Sequence, residues 1–131
     1  MKTMLADSSI YGDRIAAMFA KMPTPKRVNA ARTAAIEFAA EKLAGEDLEL
    51  TSALIDYFVN DIDQAVRQTI AEAVKSCEFL SHESAMKLAL DAEEISLPVA
   101  TYSPVLTDDD LWEILQSASN NKQTAIAGRP H

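Results

Sequence analysis

Glycine is nearly missing from this chain: three residues, at 12, 45 and 128, each standing alone. That excludes a glycine-rich phosphate-cradling loop. Cysteine is rarer still. Cys77 is the only one, so an intramolecular disulfide, a redox pair and a cysteine-rich zinc site are all excluded, and the expected compartment is the cytoplasm. Two histidines, His82 and His131, are too few and too far apart to suggest a metal-binding or catalytic pair. No apolar run approaches the ~20 residues of a membrane span, and the start, Met1-Lys2-Thr3-Met4-Leu5-Ala6-Asp7, lacks the apolar core of a secretory signal. Threonine and valine are sparse and strict apolar/polar alternation over a strand length is absent, which argues against sheet.

What remains is a helix-forming composition, with abundant alanine and 48% apolar residues in a length of 131 that suits one core. The net charge of −8 is unevenly placed. Residues 1–45 sum to +3 and residues 46–131 to −11. An acidic body argues against nucleic-acid binding there and leaves the first two helices as the basic surface.

Apolar residues recur at helical spacing almost throughout. Tyr11, Ile15, Met18, Phe19 and Met22 form the stripe of a first helix ending at Pro23, after which Thr24 is the expected N-cap and Pro25 the first helical residue. A second helix runs through Ala31, Ala35, Phe38 and Ala39 towards Leu43, with Gly45 as its left-handed terminator. A third spans about 48–59, burying Leu50, Leu54, Tyr57 and Phe58. The fourth carries Val66, Ile70, Ala73, Val74 and Cys77 on one stripe; a fifth covers about 81–90. Pro98 falls near the start of a short sixth helix. Connections of two to five residues imply antiparallel neighbours.

A rough repeat emerges. Leu50-Thr51, Leu80-Ser81 and Leu106-Thr107 each set a leucine before a hydroxyl N-cap, and aspartates follow the first two leucines by eleven residues, at Asp61 and Asp91. Spacings of 30 and 26 residues suit a helix-pair solenoid. The stretch DIDQAVRQTIAEAV, from Asp61 to Val74, resembles a HEAT-repeat helix. By that resemblance Asp61 or Asp63 caps the helix and Arg67 reaches an aspartate of an adjacent repeat, Asp91 or Asp61 itself.

The segment DAEEISLPVATYSPVLTDDDLWEIL followed by KQTAIAGR is similar to an uncharacterised bacterial domain family of HEAT-like helical repeats, over about residues 30–129. The resemblance implies an architecture and no reaction. It predicts an all-α, alpha-alpha superhelix (HEAT/ARM-like solenoid) of about three helix pairs, 24–61, 62–91 and 92–131, behind an N-terminal capping helix over 1–23. Members continue beyond the AIA helix, so this chain is expected to be a minimal member or to have its open end closed by another chain.

Candidate chemistry is thin. Asp108, Asp109 and Asp110 follow Thr107 and sit where carboxylates oppose the helix dipole, with Thr107 and Asp110 approximating a capping box. Adjacent helical residues point about 100° apart, which a metal site does not want. Cys77, on a buried stripe beside Glu78, is expected to be inert. Glu93, Glu94 and Asp91 have no nucleophile placed near them. Lys21, Lys26, Arg27 and Arg32 form a basic patch without aromatic residues for stacking on bases. Trp112 lies at the margin of its helix stripe beside an incomplete repeat; it and Tyr102 are read first as core edge and second as partner contacts, since exposed tryptophans anchor interfaces.

The functional expectation is therefore a non-enzymatic interaction or scaffold module binding a peptide, a protein or itself, with no catalytic residue, metal or cofactor. The alternative is a nucleic-acid-binding or processing helical-repeat enzyme that uses the basic patch.

Overall fold

The computed structural model describes residues 7–129; residues 1–6 and 130–131, His131 among them, lie outside that range. Among the described residues there are eight α-helices and no strand. They are α1 (Asp7–Phe19), α2 (Thr24–Ala39), α3 (Gly45–Phe58), α4 (Gln64–Val74), α5 (His82–Ala89), α6 (Glu93–Tyr102), α7 (Asp108–Leu115) and α8 (Asn120–Ala127). Connections run from three to seven residues, the longest between α4 and α5.

Packing follows the stripes. α2 lies against α4, α4 against α6 and α6 against α8, an unbroken row of even-numbered helices; α1 packs on α3, and α2 and α6 also meet α3 and α5. Val66, Ile70, Ala71 and Val74 of α4 are fully buried between α2 and α6, joined by Ala31, Ala35 and Phe38 from one side and Ile95 and Val99 from the other. Each of the valine, isoleucine and phenylalanine side chains contributes about 1.5–3 kcal/mol when removed from water. At the first end, Phe19 of α1 sets its ring edge-on to Phe58 at 5.0 Å and tilted to Tyr57 at 5.9 Å, which ties α1 to α3.

Several boundaries differ from the sequence expectation, each for a local reason. α2 starts at Thr24, with Pro23 as its N-cap residue and Pro25 at the second position. The Thr24 hydroxyl is free for this because it donates to Asp63 (2.7 Å) in place of capping its own helix. α2 stops at Ala39, not near Leu43: Glu41 turns the chain with φ +58°, while Gly45, at φ +59°, opens α3. A left-handed glutamate costs about 1–2 kcal/mol. Its carboxylate is held by the Glu78 amide (3.3 Å) and the Cys77 thiol (3.6 Å), contacts that fix the turn from outside.

With α3 beginning at Gly45, Thr51 sits inside the helix and is no N-cap, so the Leu50-Thr51 member of the expected repeat fails, and Leu50 is exposed where it was expected to be buried. Leu80-Ser81 and Leu106-Thr107 do stand before α5 and α7, with both leucines buried. Met18 is exposed on α1, Cys77 lies just past the end of α4, and Pro98 sits midway along α6, where its ring nitrogen has no hydrogen to donate.

Candidate functional site

Two arginines occupy the same place in successive helices of the even row. Arg27 is the fourth residue of α2 and Arg67 the fourth of α4. Arg67 donates from Nε and Nη2 to the two oxygens of Asp91 (2.8 and 3.2 Å) and from Nη1 to the Asp61 carbonyl (2.8 Å). Arg27 donates to both Asp61 oxygens (3.1 and 3.2 Å), to Asp63 and to the Met22 carbonyl. Each guanidinium thus clamps the carboxylate beyond the next helix while holding a carbonyl before its own. The bidentate fork is the reason arginine serves here and lysine would not.

The expectation that Asp61 or Asp63 caps α4 is corrected by this geometry. Asp63 holds the N-cap position but its side chain makes no cap bond, because its carboxylate faces Thr24 and Arg27. The Thr24 hydroxyl holds the Asp63 carboxyl below the ordinary carboxylate range, with Arg27 adding to it against desolvation. The bond to Asp61 raises the Arg27 guanidinium above its usual value. Asp61 instead braces the turn, accepting from the Asp63 amide at 2.9 Å.

The basic patch loses its centre by the same bonds. Arg27 is a mostly buried internal cation, whereas Lys21, Lys26 and Arg32 are exposed, Arg32 donating to Asn29 at 2.9 Å.

The third place in the series carries no arginine. The fourth residue of α6 is Ser96, fully buried, and its Oγ has no hydrogen-bond partner. The cations at this end come from α8 and its flank. Lys122 Nζ donates to the Ala89 carbonyl (3.1 Å), and Arg129 donates to the Ala100 and Ser103 carbonyls (2.7 Å each), closing the C-terminal end of α6. Burial pushes both the Lys122 ammonium and the Arg129 guanidinium below their usual values.

A second polar cluster joins the starts of α5 and α7. Ser81 caps α5 by accepting from the Ser84 amide (3.1 Å), and Ser84 in turn donates to Asp56 of α3 (2.6 Å). Thr107 and Asp110 form a reciprocal capping box: the Thr107 hydroxyl accepts from the Asp110 amide (3.1 Å) and the Asp110 carboxylate accepts from the Thr107 amide (2.8 Å). The same carboxylate oxygen meets His82 Nε2 at 2.7 Å. Burial pushes Asp110 up, but the Thr107 amide and His82 outweigh it and hold the carboxyl below its ordinary value. Sequence reasoning placed His82 in an exposed first turn and missed this contact, since nothing local links residues 28 apart.

Tyr102 and Trp112 are both largely exposed, at 57% and 68%. Lys75 Nζ lies over the Tyr102 ring, 5.1 Å from its centre. On α7, Ile114 is buried and Leu111 and Leu115 half-buried, while Trp112 stands out among Asp108, Asp109 and Glu113. A shallow groove of about 570 Å³ runs between α2 and α4, lined by Arg32, Ile36, Ala65, Thr69, Glu72 and Ala73. A polar one of about 500 Å³ lies beside the Arg67–Asp91 pair.

Cys77 is buried; desolvation raises its thiol pKa, and the Glu41 carboxylate adds to the effect. Among the described residues no three of His, Cys, Asp and Glu gather in a way that holds a metal ion. No helix there is long and apolar enough to cross a membrane. Comparison of the chain with protein-family models, with curated proteins and with solved structures finds no match.

Proposed function

We propose that this chain is a non-enzymatic protein-interaction or scaffold module, built as a HEAT-like alpha-alpha superhelix of the uncharacterised bacterial type that its sequence resembles, and working in the cytoplasm. The observation that carries the functional reading is Trp112, a lone tryptophan 68% exposed on a helix whose other apolar residues are buried or half-buried. Tryptophan is the residue most enriched among energetic anchors of protein interfaces, and leaving it in water has no folding benefit. The repeat reading draws on the unbroken even row and on Arg27 and Arg67 recurring at one helical position. In such a stack each unit covers its neighbour, so the terminal units keep faces open for a partner.

The test compares the wild type with Trp112→Ala and Tyr102→Ala in native mass measurement and pull-down. Loss of a partner or of self-association in the variants supports the proposal; a wild type with neither overturns it. The nucleic-acid alternative is weakened by the loss of Arg27 to internal ion pairs. It predicts salt-sensitive DNA or RNA binding abolished by Lys26→Glu with Arg32→Glu.

A further inference from the structure

The scaffold reading leaves the partner open, and the inference drawn here rests on that reading and names it. We infer that the chain associates head to tail with a second copy of itself, the acidic face of α7 around Trp112 seating on the outer face of α1 and the corner that follows it.

Residues 13–32 contain five Lys/Arg and one Asp/Glu, Asp13; residues 103–119 contain four Asp/Glu and no Lys/Arg. Of the five cations only Arg27 is spent internally, so Arg14, Lys21, Lys26 and Arg32 face solvent. Of the four acids only Asp110 is, so Asp108, Asp109 and Glu113 face solvent around Trp112. One molecule therefore carries a cationic end and an anionic end of matching size.

Helix geometry sets the direction of each face. Residues two apart on an α-helix point about 200° apart, which is nearly opposite. Asp110 points towards α5, where it meets His82, so Trp112 points away from α5. On α1, Ile15 and Phe19 are buried, Phe19 against α3. Ala17, two residues from each, points away from α3. Beside it lie exposed Ala16, Ala20 and Met18, the last 64% exposed, a low apolar surface bordered by Arg14, Lys21 and Asp13. A tryptophan bordered by carboxylates thus meets a methionine and alanines bordered by Arg14 and Lys21 with the single carboxylate Asp13, an apolar centre within a predominantly complementary charged rim.

Pairing α7 with α7 brings like charges together and is disfavoured. Made once per pair of copies, the contact is heterologous and propagates to a ring or an open chain; made twice reciprocally, it would stop at a symmetric dimer, and the oligomer size separates the two.

Sedimentation velocity over a concentration series, with helicity checked by circular dichroism for every variant, tests this. Arg14→Glu with Lys21→Glu blocks one end, and Asp109→Lys with Glu113→Lys blocks the other. The wild type is expected to grow beyond a dimer with concentration. Its dissociation constant rises about tenfold or more from low to high salt, and about thirtyfold in Trp112→Ala. Each blocked variant alone stays monomeric, and an equimolar mixture of the two stops at a dimer. A wild type that is monomeric throughout or stops at a dimer, or a mixture that stays monomeric, overturns the inference. If the wild type is monomeric but binds a different protein through Trp112, the scaffold reading stands and this inference alone falls; if it binds nothing, both fall.

Discussion

Replacing Arg67 by methionine is the sharpest test of what holds the even row together. Its guanidinium is 20% exposed and the Asp91 carboxylate 11%, so neither is fully solvated. In the variant Asp91 keeps only its bond from the Ala92 amide (2.7 Å), and the Asp61 carbonyl loses its 2.8 Å donor. Breaking a fully buried pair by removing one partner costs about 3–5 kcal/mol. Residual solvent access brings the expectation here to about 2–3 kcal/mol, a large part of the roughly 5–15 kcal/mol that stabilises a domain. At about 4 °C per kcal/mol for a chain of this size, Tm falls by about 8–12 °C.

The assay is urea and thermal unfolding followed by far-UV circular dichroism, on Arg67→Met, Asp91→Leu and the double variant. The double variant is expected to recover about 2 kcal/mol relative to the sum of the singles, because no unpaired charge is left behind. A cost below about 0.5 kcal/mol for Arg67→Met, or strictly additive singles, refutes the claim that this bidentate pair clamps successive helices.

Three further outcomes follow from the same geometry. Asp110 has a folded-state pKa below its ordinary value, so its contribution is complete above the unfolded carboxyl range and is lost as pH falls below about 4; Asp110→Asn is expected to cost about 1–2 kcal/mol at neutral pH and to flatten the acid limb of a stability–pH curve, and an unchanged limb contradicts this. Ser96→Ala removes a buried hydroxyl that has no partner and is expected to stabilise α6 by about 0.5–1 kcal/mol, a loss of stability in urea unfolding being the contrary result. Cys77, buried and with its thiol pKa raised, is expected to react with a thiol reagent at least about a hundredfold more slowly in the native protein than in urea, and equal rates contradict it.

Much of the fold is legible in the sequence because helix starts are local chemistry. Ser81 and Thr107 stand directly before apolar stripes and cap them, and a hydroxyl needs only the amide three residues on. The DIDQAVRQTIAEAV stretch is equally readable, and its Arg67 meets Asp91, one of the two partners the resemblance implied. The errors fall where a distant contact overrides a local rule. Gly45 looks like the end of α2, yet Glu41 takes the left-handed turn because residues 77 and 78 hold its carboxylate. Thr24 and Asp63 both look like caps, yet each spends its side chain on the other.

The candidate surface divides in the same way. That Trp112 sits at the edge of its helix stripe follows from spacing alone; that it is exposed depends on which helices come to lie against α7. By itself the sequence determined an all-helical chain with a basic beginning, an acidic remainder and no second cysteine, since propensity, periodicity and charge are properties of residues and near neighbours. Only the tertiary structure decided that Arg27 is an internal clamp and not a surface cation, that His82 shares Asp110 with a capping box, and that Ser96 stands buried where α2 and α4 carry arginine. The first two outcomes depend on pairings across 28 to 36 residues, and all three on the packing of one helix on another.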